Sequence, residues 1–138
     1  MSNIMKAMLT SILIIIAIGV AVLIVVLNMN QEKTSGAQTI DDIVRYSYET
    51  PEITTDLEDG SYVKVQFQVV TDSKKAREEI EKRDFQIKNI LIKELAVMTE
   101  EDFKSRLTEL EATVKDKLNE IMTEGEIIDV YTIDKILQ

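Results

Sequence analysis

The chain of 138 residues contains no cysteine, no histidine and no tryptophan, and it has one proline and four glycines. Without histidine or cysteine it cannot form a Ser-His-Asp or Cys-His triad, a histidine general base, or a zinc site with nitrogen and sulfur ligands. The absence of cysteine also excludes disulfides, so burial of apolar side chains must stabilise the fold. The glycines are scattered and form no phosphate-binding loop. The sequence therefore predicts a protein that is not an enzyme, with no catalytic, cofactor or metal site.

Carboxylates are the remaining candidates for chemistry. They occur in runs at Asp41-Asp42, Glu78-Glu79 and Glu100-Glu101-Asp102, but charge runs of this kind usually form the solvated face of a helix. Acidic residues number 25 against 16 basic ones, and the formal net charge is −9. Such a surface repels nucleic acid and anionic lipid headgroups, so we expect no nucleic-acid partner. An anchored carboxylate hydrolase is the least favoured hypothesis.

One long apolar run extends from Leu9 to Leu27 without a charged residue or a proline. As a helix its nineteen residues would be about 28 Å long, close to the ~30 Å hydrocarbon core of a bilayer. The run predicts a transmembrane helix over residues 9–27. A cleavable signal peptide is the alternative, but the run is longer than the usual apolar region of such a peptide and no clean cleavage site follows it. Lys6 stands before the run, which places residues 1–8 in the cytoplasm and the rest of the chain outside.

The apolar run itself offers two features for interaction. It contains no ionisable residue, so it can hold a protein beside an ion channel but provides no path for ions. Ala17, Gly19 and Ala21 form a patch of small residues, and the four-residue spacing of the two alanines suits close helix approach. We predict membrane-packing contacts there, with ordinary anchor composition as the alternative.

Polar residues 28–38 predict a linker, and residues 39–138 predict one external domain. Thr39 resembles the cap of a short helix, which Pro51 prevents from continuing. Asp59-Gly60 separates two β-rich runs and predicts a hairpin. The second run alternates between apolar and polar residues, which indicates a half-buried antiparallel strand.

Two helices and a strand follow the predicted hairpin. The first helix begins at Asp72 or Ser73 and ends near Val97, the second runs from Thr99 to a stop at Gly125, and residues 127–137 form the strand. The order ββααβ after a short helix predicts an α+β fold with helices on one face of the sheet. The predicted core consists of Val63, Val65, Phe67, Val69, Ile87, Leu91, Leu95, Phe103, Leu107, Leu110, Val114, Leu118, Ile121 and Val130.

Several short motifs occur in one order along this domain. They are Thr55-Asp56-Leu57 before Asp59-Gly60 and Tyr62-Val63-Lys64-Val65, then residues 87–95 before Thr99-Glu100-Glu101-Asp102-Phe103, then Asn119, Val130-Tyr131 and Ile136-Leu137-Gln138. Their order and spacing resemble the flagellar basal-body-associated FliL family over nearly the whole chain. Lys88-Asn89 departs from the family's frequent Arg-Asp, and Thr132, Ile133 and Lys135 stand where further phenylalanines are usual.

The resemblance implies a stomatin/prohibitin-like external domain on a single inner-membrane span. It also implies a non-enzymatic role at the flagellar basal body, in which copies form a homo-oligomeric ring around MotA/MotB-type stator units. Such a ring supports motor rotation, most visibly under load or during swarming. The alternative hypothesis is a membrane-anchored sensor or binding module outside the cytoplasm that is unrelated to motility.

Overall fold

The computed structural model describes residues 2–31 and 38–138, and the chain divides into two compact units at Gln38. The described part of the first unit contains one helix, α1, over Asn3–Gln31. Within it, an 18-residue stretch of Asn3–Val26 has a mean hydropathy of 3.2 and is not buried, so α1 is long and apolar enough to cross a membrane. Ala17, Gly19 and Ala21 are exposed on this helix, and an added Cβ at Gly19 would meet no atom within 4 Å.

The helix α1 continues beyond the predicted span. Residues 28–31, which the sequence assigned to the linker, are helical. They contain neither proline nor glycine, so nothing in their side chains ends the helix at the edge of the apolar run. Residues 32–37 of the predicted linker lie outside the described residues.

The second unit has a mixed α+β fold, as predicted. Its elements are α2 (Ile40–Arg45), β1 (Ser47–Glu49), β2 (Ile53–Asp56), β3 (Tyr62–Thr71), α3 (Lys74–Lys82), α4 (Asp84–Leu95), α5 (Glu100–Ser105), α6 (Leu107–Ile121) and β4 (Ile127–Leu137). The strand β4 has the bounds that the sequence predicts.

The order of elements differs from the predicted ββααβ. A fourth strand, β1, is present before the hairpin; its three residues are too few to show an alternating pattern. Each predicted helix is divided in two, at Arg83 (φ −92°, ψ 15°) and at Arg106 (φ −119°, ψ 30°). The apolar spacing continues through both arginines, so the sequence pattern does not reveal the breaks.

The four strands form one antiparallel sheet around β3. On one side β3 pairs with β1 and β2, and on the other side it pairs with β4 along nearly its whole length. The predicted hairpin is confirmed: β2 and β3 are joined through Gly60, whose φ of +86° favours glycine. The register of β3 against β4 shifts at two places, between Gln66 and Phe67 and between Val70 and Thr71.

The core lies between one face of the sheet and the helices α3–α6. Alternate residues of β3 point into it, and they meet buried side chains from each of the four helices. Twelve of the fourteen predicted core residues are buried, whereas Leu107 and Ile121 are half-buried and pack against the cluster. Ile53, Leu57, Ile80 and Ile127 complete the cluster.

Side-chain caps fix the starts of three helices. Thr39, Ser73 and Thr99 each accept a hydrogen bond from a backbone N–H three residues ahead, at the starts of α2, α3 and α5. At α5 the cap is reciprocal, because Asp102 accepts from the backbone N–H of Thr99 at 3.1 Å. These caps follow directly from local sequence, and the predictions at Thr39, Ser73 and Thr99 are confirmed.

Removal of the two threonine caps should lower the free energy of unfolding by different amounts. We expect Thr99→Ala to lower the free energy of unfolding by about 1 kcal/mol, because α5 carries the buried Phe103 into the core. We expect Thr39→Ala to cost less than about 0.5 kcal/mol, because α2 has no buried residue and can fray locally. Urea unfolding of the two variants measures the difference. Equal losses would contradict it.

Candidate functional site

The acidic runs of the sequence do not converge on one site. Asp41 and Asp42 lie in the first turn of α2, and Glu100, Glu101 and Asp102 form the first turn of α5. Carboxylates are favoured at these positions because they face the positive end of the helix dipole. Within residues 2–31 and 38–138, no group of three or more acidic side chains is arranged to hold a metal ion.

Glu79 belongs to one of these acidic runs, and its carboxylate lies between separate elements. It accepts hydrogen bonds from the backbone N–H of Thr123 at 3.0 Å, from the Thr123 hydroxyl at 2.9 Å and from the backbone N–H of Glu124. Arg83 pairs with the same carboxylate at 2.7 Å, and the Glu79 side chain is only 11% exposed. This carboxylate joins the end of α3 to the turn between α6 and β4.

These contacts change the pKa of Glu79. Burial by itself raises the pKa, because it disfavours the charged form. The hydrogen bonds from Arg83, Glu124 and Thr123 outweigh burial and lower the pKa from 4.5 to about 2. Glu79 is therefore ionised at neutral pH and acts as a fixed anion within the fold, not as a proton donor.

A cleft of about 530 Å³ opens beside this carboxylate, at the junction of α3 and α4. Lysines 75 and 82 line it together with Arg83, Phe85 and Gln86. Phe85 is 71% exposed although it is aromatic, and both lysines are exposed. The lining includes three basic side chains and also three carboxylates, those of Glu78, Glu79 and Glu124. An exposed aromatic ring among charges of both signs suits contact with another macromolecule more than chemistry on a small substrate.

Asn119 makes a second long-range connection, between α6 and β4. Its side-chain amide donates to the carbonyl of Ile127 at 3.0 Å, and its carbonyl oxygen accepts from the N–H of Ile127 at 2.8 Å. The side chain therefore pairs with Ile127 as a neighbouring strand would. Ile127 is fully buried, so Asn119 supplies partners that its backbone N–H and carbonyl need at the start of β4.

Two more side chains accept hydrogen bonds from backbone N–H groups of β4. Glu111 accepts from Thr132 at 2.9 Å, and Asp129 accepts from Val130 at 2.9 Å. Each contact satisfies a donor that a neighbouring chain could otherwise use, which is how natural sheets protect an edge strand. β4 keeps several partly exposed apolar side chains, namely Ile128, Tyr131, Ile133 and Ile136.

Tyr48 connects β1 to the start of α4. Its hydroxyl donates to Asp84 at 2.9 Å. Burial of the ring and this hydrogen bond raise the pKa of Tyr48 to about 12, so the hydroxyl stays protonated. The contact holds the α3–α4 junction, and with it the cleft, against the sheet.

Sequence reasoning did not identify the connections that shape this region. The sequence pattern places Glu79 in a solvated charge run and assigns no role to Phe85. Asn119 enters only through the family resemblance, which gives it no role. No local pattern marks any of the three, because each depends on residues that are distant in sequence or on exposure that only the fold decides.

Two comparisons relate this chain to known proteins. Residues 47–138 match the family described as flagellar basal body-associated protein FliL. The flagellar protein FliL of Bacillus subtilis (strain 168) is 36% identical over 116 residues, covering 82% of each chain. Because residues 38–138 make up less than 82% of this chain, the similarity also includes residues before Gln38.

Proposed function

The chain belongs to the FliL family of flagellar basal-body-associated proteins, and we propose that it is a membrane-anchored accessory of the stator units that supports motility, including swarming. In this proposal α1 spans the inner membrane with its N-terminus in the cytoplasm, and residues 38–138 lie outside. The domain is a non-enzymatic binding unit whose partners are MotA/MotB-type stator units and further copies of itself.

The observation that carries this proposal is the pairing of an apolar helix with the family's domain. The span from Leu9 to Leu27 has no ionisable side chain, so it supplies a position in the membrane without an ion path. A domain held in this way beside a channel acts through binding. If it binds the conducting arrangement of a stator more tightly than the closed one, it shifts the stator toward conduction.

Self-association is part of the proposal. Confinement to a membrane raises the effective concentration of neighbouring copies, so weak contacts between domains suffice to assemble them. The small residues Ala17, Gly19 and Ala21 allow neighbouring spans to approach closely. Packing through this patch stays a prediction.

Deletion of the gene tests the role in motility. We expect filaments of normal number, slower swimming in soft agar and a larger loss of swarming on firm agar, where the motor works against a higher load. Expression of the full chain should restore both. The control is a count of stained filaments, which separates a motor defect from failed assembly of flagella.

Unchanged expansion on both soft and firm agar would overturn the motility proposal. It would favour a membrane-anchored binding module unrelated to the motor, for which the α3–α4 cleft is the natural site. In-cell crosslinking from exposed positions of the domain, followed by identification of the captured proteins, tests the stator association directly.

A further inference from the structure

We propose that residues 38–49 form a releasable strap, docked on the sheet in this structure, whose release lengthens the tether between the domain and the helix α1. The strap consists of α2, β1 and the residues that flank α2. It rests on the proposed function only for the placement of α1 in the membrane, because docking and release are properties of the domain itself.

Burial changes abruptly where the strap ends. Every residue from 38 to 49 is exposed or half-buried, whereas Thr50 is only 1% exposed. The backbone N–H of Thr50 donates to the carbonyl of Phe67 at 2.9 Å, and the Thr50 hydroxyl accepts from the N–H of Phe67 at 3.0 Å. Thr50 is therefore fixed to the central strand, and a strap that comes off the sheet stops there.

Few polar contacts hold the strap to the rest of the domain. Both flanks of α2 bond Thr71, at the end of β3: the Gln38 amide donates to its carbonyl at 3.1 Å, and the Tyr46 carbonyl accepts from its N–H at 3.1 Å. Arg77 donates to the carbonyl of Ser47 at 3.0 Å. Between these contacts and Thr50, β1 pairs with β3 over three residues. Segments with so few buried contacts open locally, without unfolding of the whole domain.

Tyr48 provides the contact between the strap and the core. Its half-buried ring packs against the apolar cluster, and its hydroxyl donates to Asp84 at 2.9 Å. By contrast, Ile40 and Val44 of α2 are 71% and 64% exposed, so they contribute little to docking. Release therefore uncovers little apolar surface, while the released residues regain backbone freedom. This balance favours a docked strap that opens far more often than the rest of the domain unfolds.

Release changes how far the domain can lie from the end of α1. With the strap docked, the chain advances seven residues from Gln31 to Gln38, which span at most about 25 Å. With the strap released, it advances nineteen residues from Gln31 to Thr50, which span up to about 65 Å. The released domain can therefore contact a partner about 40 Å farther from the membrane than the docked domain can.

Hydrogen exchange of the full chain in lipid nanodiscs tests the release. Thr71 is fully buried, but the acceptor of its N–H is the carbonyl of Tyr46, which belongs to the strap. We therefore expect the N–H groups of Tyr48 and Thr71 to exchange with similar protection, and about a hundredfold faster than that of Thr50. Exchange of Thr71 as slow as that of Thr50 would overturn the release.

The absence of natural cysteine permits a disulfide test in the same chain. Ser47 and Val70 lie opposite each other in the β1–β3 ladder, between hydrogen-bonded pairs, where the Cα atoms of two strands are about 4.5 Å apart. That separation suits a disulfide. The oxidised double variant Ser47→Cys with Val70→Cys should slow the exchange of Thr71 to that of Thr50, and reduction should reverse the effect.

A second cysteine pair, Thr54→Cys with Lys64→Cys, is the matched control. These residues lie opposite each other in the same way, but within the β2–β3 hairpin and outside the strap. Their disulfide should leave the exchange of Thr71 unchanged. If the Ser47–Val70 disulfide slows Thr71 no more than the control disulfide does, release of the strap is not the cause of the exchange.

Removal of one hydroxyl gives an independent measurement. Tyr48→Phe keeps the ring but loses the hydrogen bond to Asp84, so Thr71 should exchange about three- to tenfold faster while Thr50 stays unchanged. Tyr62→Phe is the control, because Tyr62 is 59% exposed at the opposite end of β3. Exchange of Thr71 in Tyr48→Phe equal to that in wild type would contradict a strap that releases together with Tyr48.

Motility separately measures the role of the longer tether. In a strain that lacks the gene, the oxidised Ser47–Val70 variant should restore less swarming than the oxidised Thr54–Lys64 variant, and a reductant should remove the difference. Equal swarming would overturn the role of the longer tether, although fast exchange of Thr71 would still support the release. Failure of the proposed function is distinguishable, because it would leave motility unchanged on deletion of the gene, whatever the exchange rates.

Discussion

Replacing Glu79 with glutamine should lower the free energy of unfolding at pH 7 by about 2 to 3 kcal/mol. Glutamine has the same shape, but it is uncharged, and its amide group would face the donors of Arg83 and Thr123. The link between α3 and the α6–β4 turn would lose its charge-assisted hydrogen bonds. All four tyrosines lie in residues 38–138, so near-UV circular dichroism during urea unfolding reports on this unit.

The pH dependence of this effect follows from the pKa of Glu79. The folded value of about 2 lies below the unfolded value of 4.5, so the stabilisation is complete well above pH 4.5 and disappears as the pH falls through about 2. The wild-type chain should lose stability over this window. The difference between wild type and Glu79→Gln should shrink toward zero as the carboxylate becomes protonated.

The neighbouring residue supplies a matched control. Glu78 is 51% exposed and makes an ion pair with Lys74 at 3.7 Å, a geometry that contributes little. We expect Glu78→Gln to change the free energy of unfolding by less than about 0.5 kcal/mol at any pH. A difference between wild type and Glu79→Gln that stays constant from pH 7 to pH 2 would show that the carboxylate charge is not responsible.

Replacing Asn119 with alanine should cost about 2 to 4 kcal/mol of unfolding free energy, because it leaves both the N–H and the carbonyl of buried Ile127 without their partner. Asn119→Asp keeps an acceptor for the Ile127 N–H but places a negative charge beside its carbonyl. We therefore expect an intermediate or equal loss for that variant.

Asn89 provides the comparison for this second prediction. It lies exposed on α4, and Asn89→Ala should leave stability within about 0.5 kcal/mol or raise it slightly, since alanine favours helices. Amide hydrogen exchange locates the effect: in Asn119→Ala the N–H of Ile127 should exchange faster than those of β3. Equal stability of Asn119→Ala and Asn89→Ala would contradict the role given to Asn119.

Local sequence predicted much of this fold. The alternation of Val63, Val65, Phe67 and Val69 places β3 in the sheet, and the Asp59-Gly60 pair marks its hairpin, because neighbouring residues alone determine side-chain alternation and turn conformation. The same holds for the caps at Ser73 and Thr99. β1 was missed because its three residues pair only with a distant part of β3.

The cleft and the long-range hydrogen bonds beside it could not be predicted from local sequence. Glu79 and Thr123 are 44 residues apart, and nothing near either residue indicates that they meet. The breaks at Arg83 and Arg106 interrupt helices whose apolar spacing is continuous, so the pattern predicts longer helices than the fold contains. Phe85, two residues after the break at Arg83, is 71% exposed although it is aromatic, and no local pattern indicates this.

The amino-acid sequence establishes an apolar run from Leu9 to Leu27 without charge, a domain without histidine or cysteine, and motifs in the order of the FliL family. These properties reside in composition and in neighbouring residues, and the tertiary structure does not alter them. The packing of the elements, by contrast, places one carboxylate of a charge run between α3 and a distant turn, and it leaves Phe85 and Val97 exposed at opposite ends of α4. Burial and long-range hydrogen bonds depend on how the elements pack, so the surfaces available to partners appear only in the folded chain.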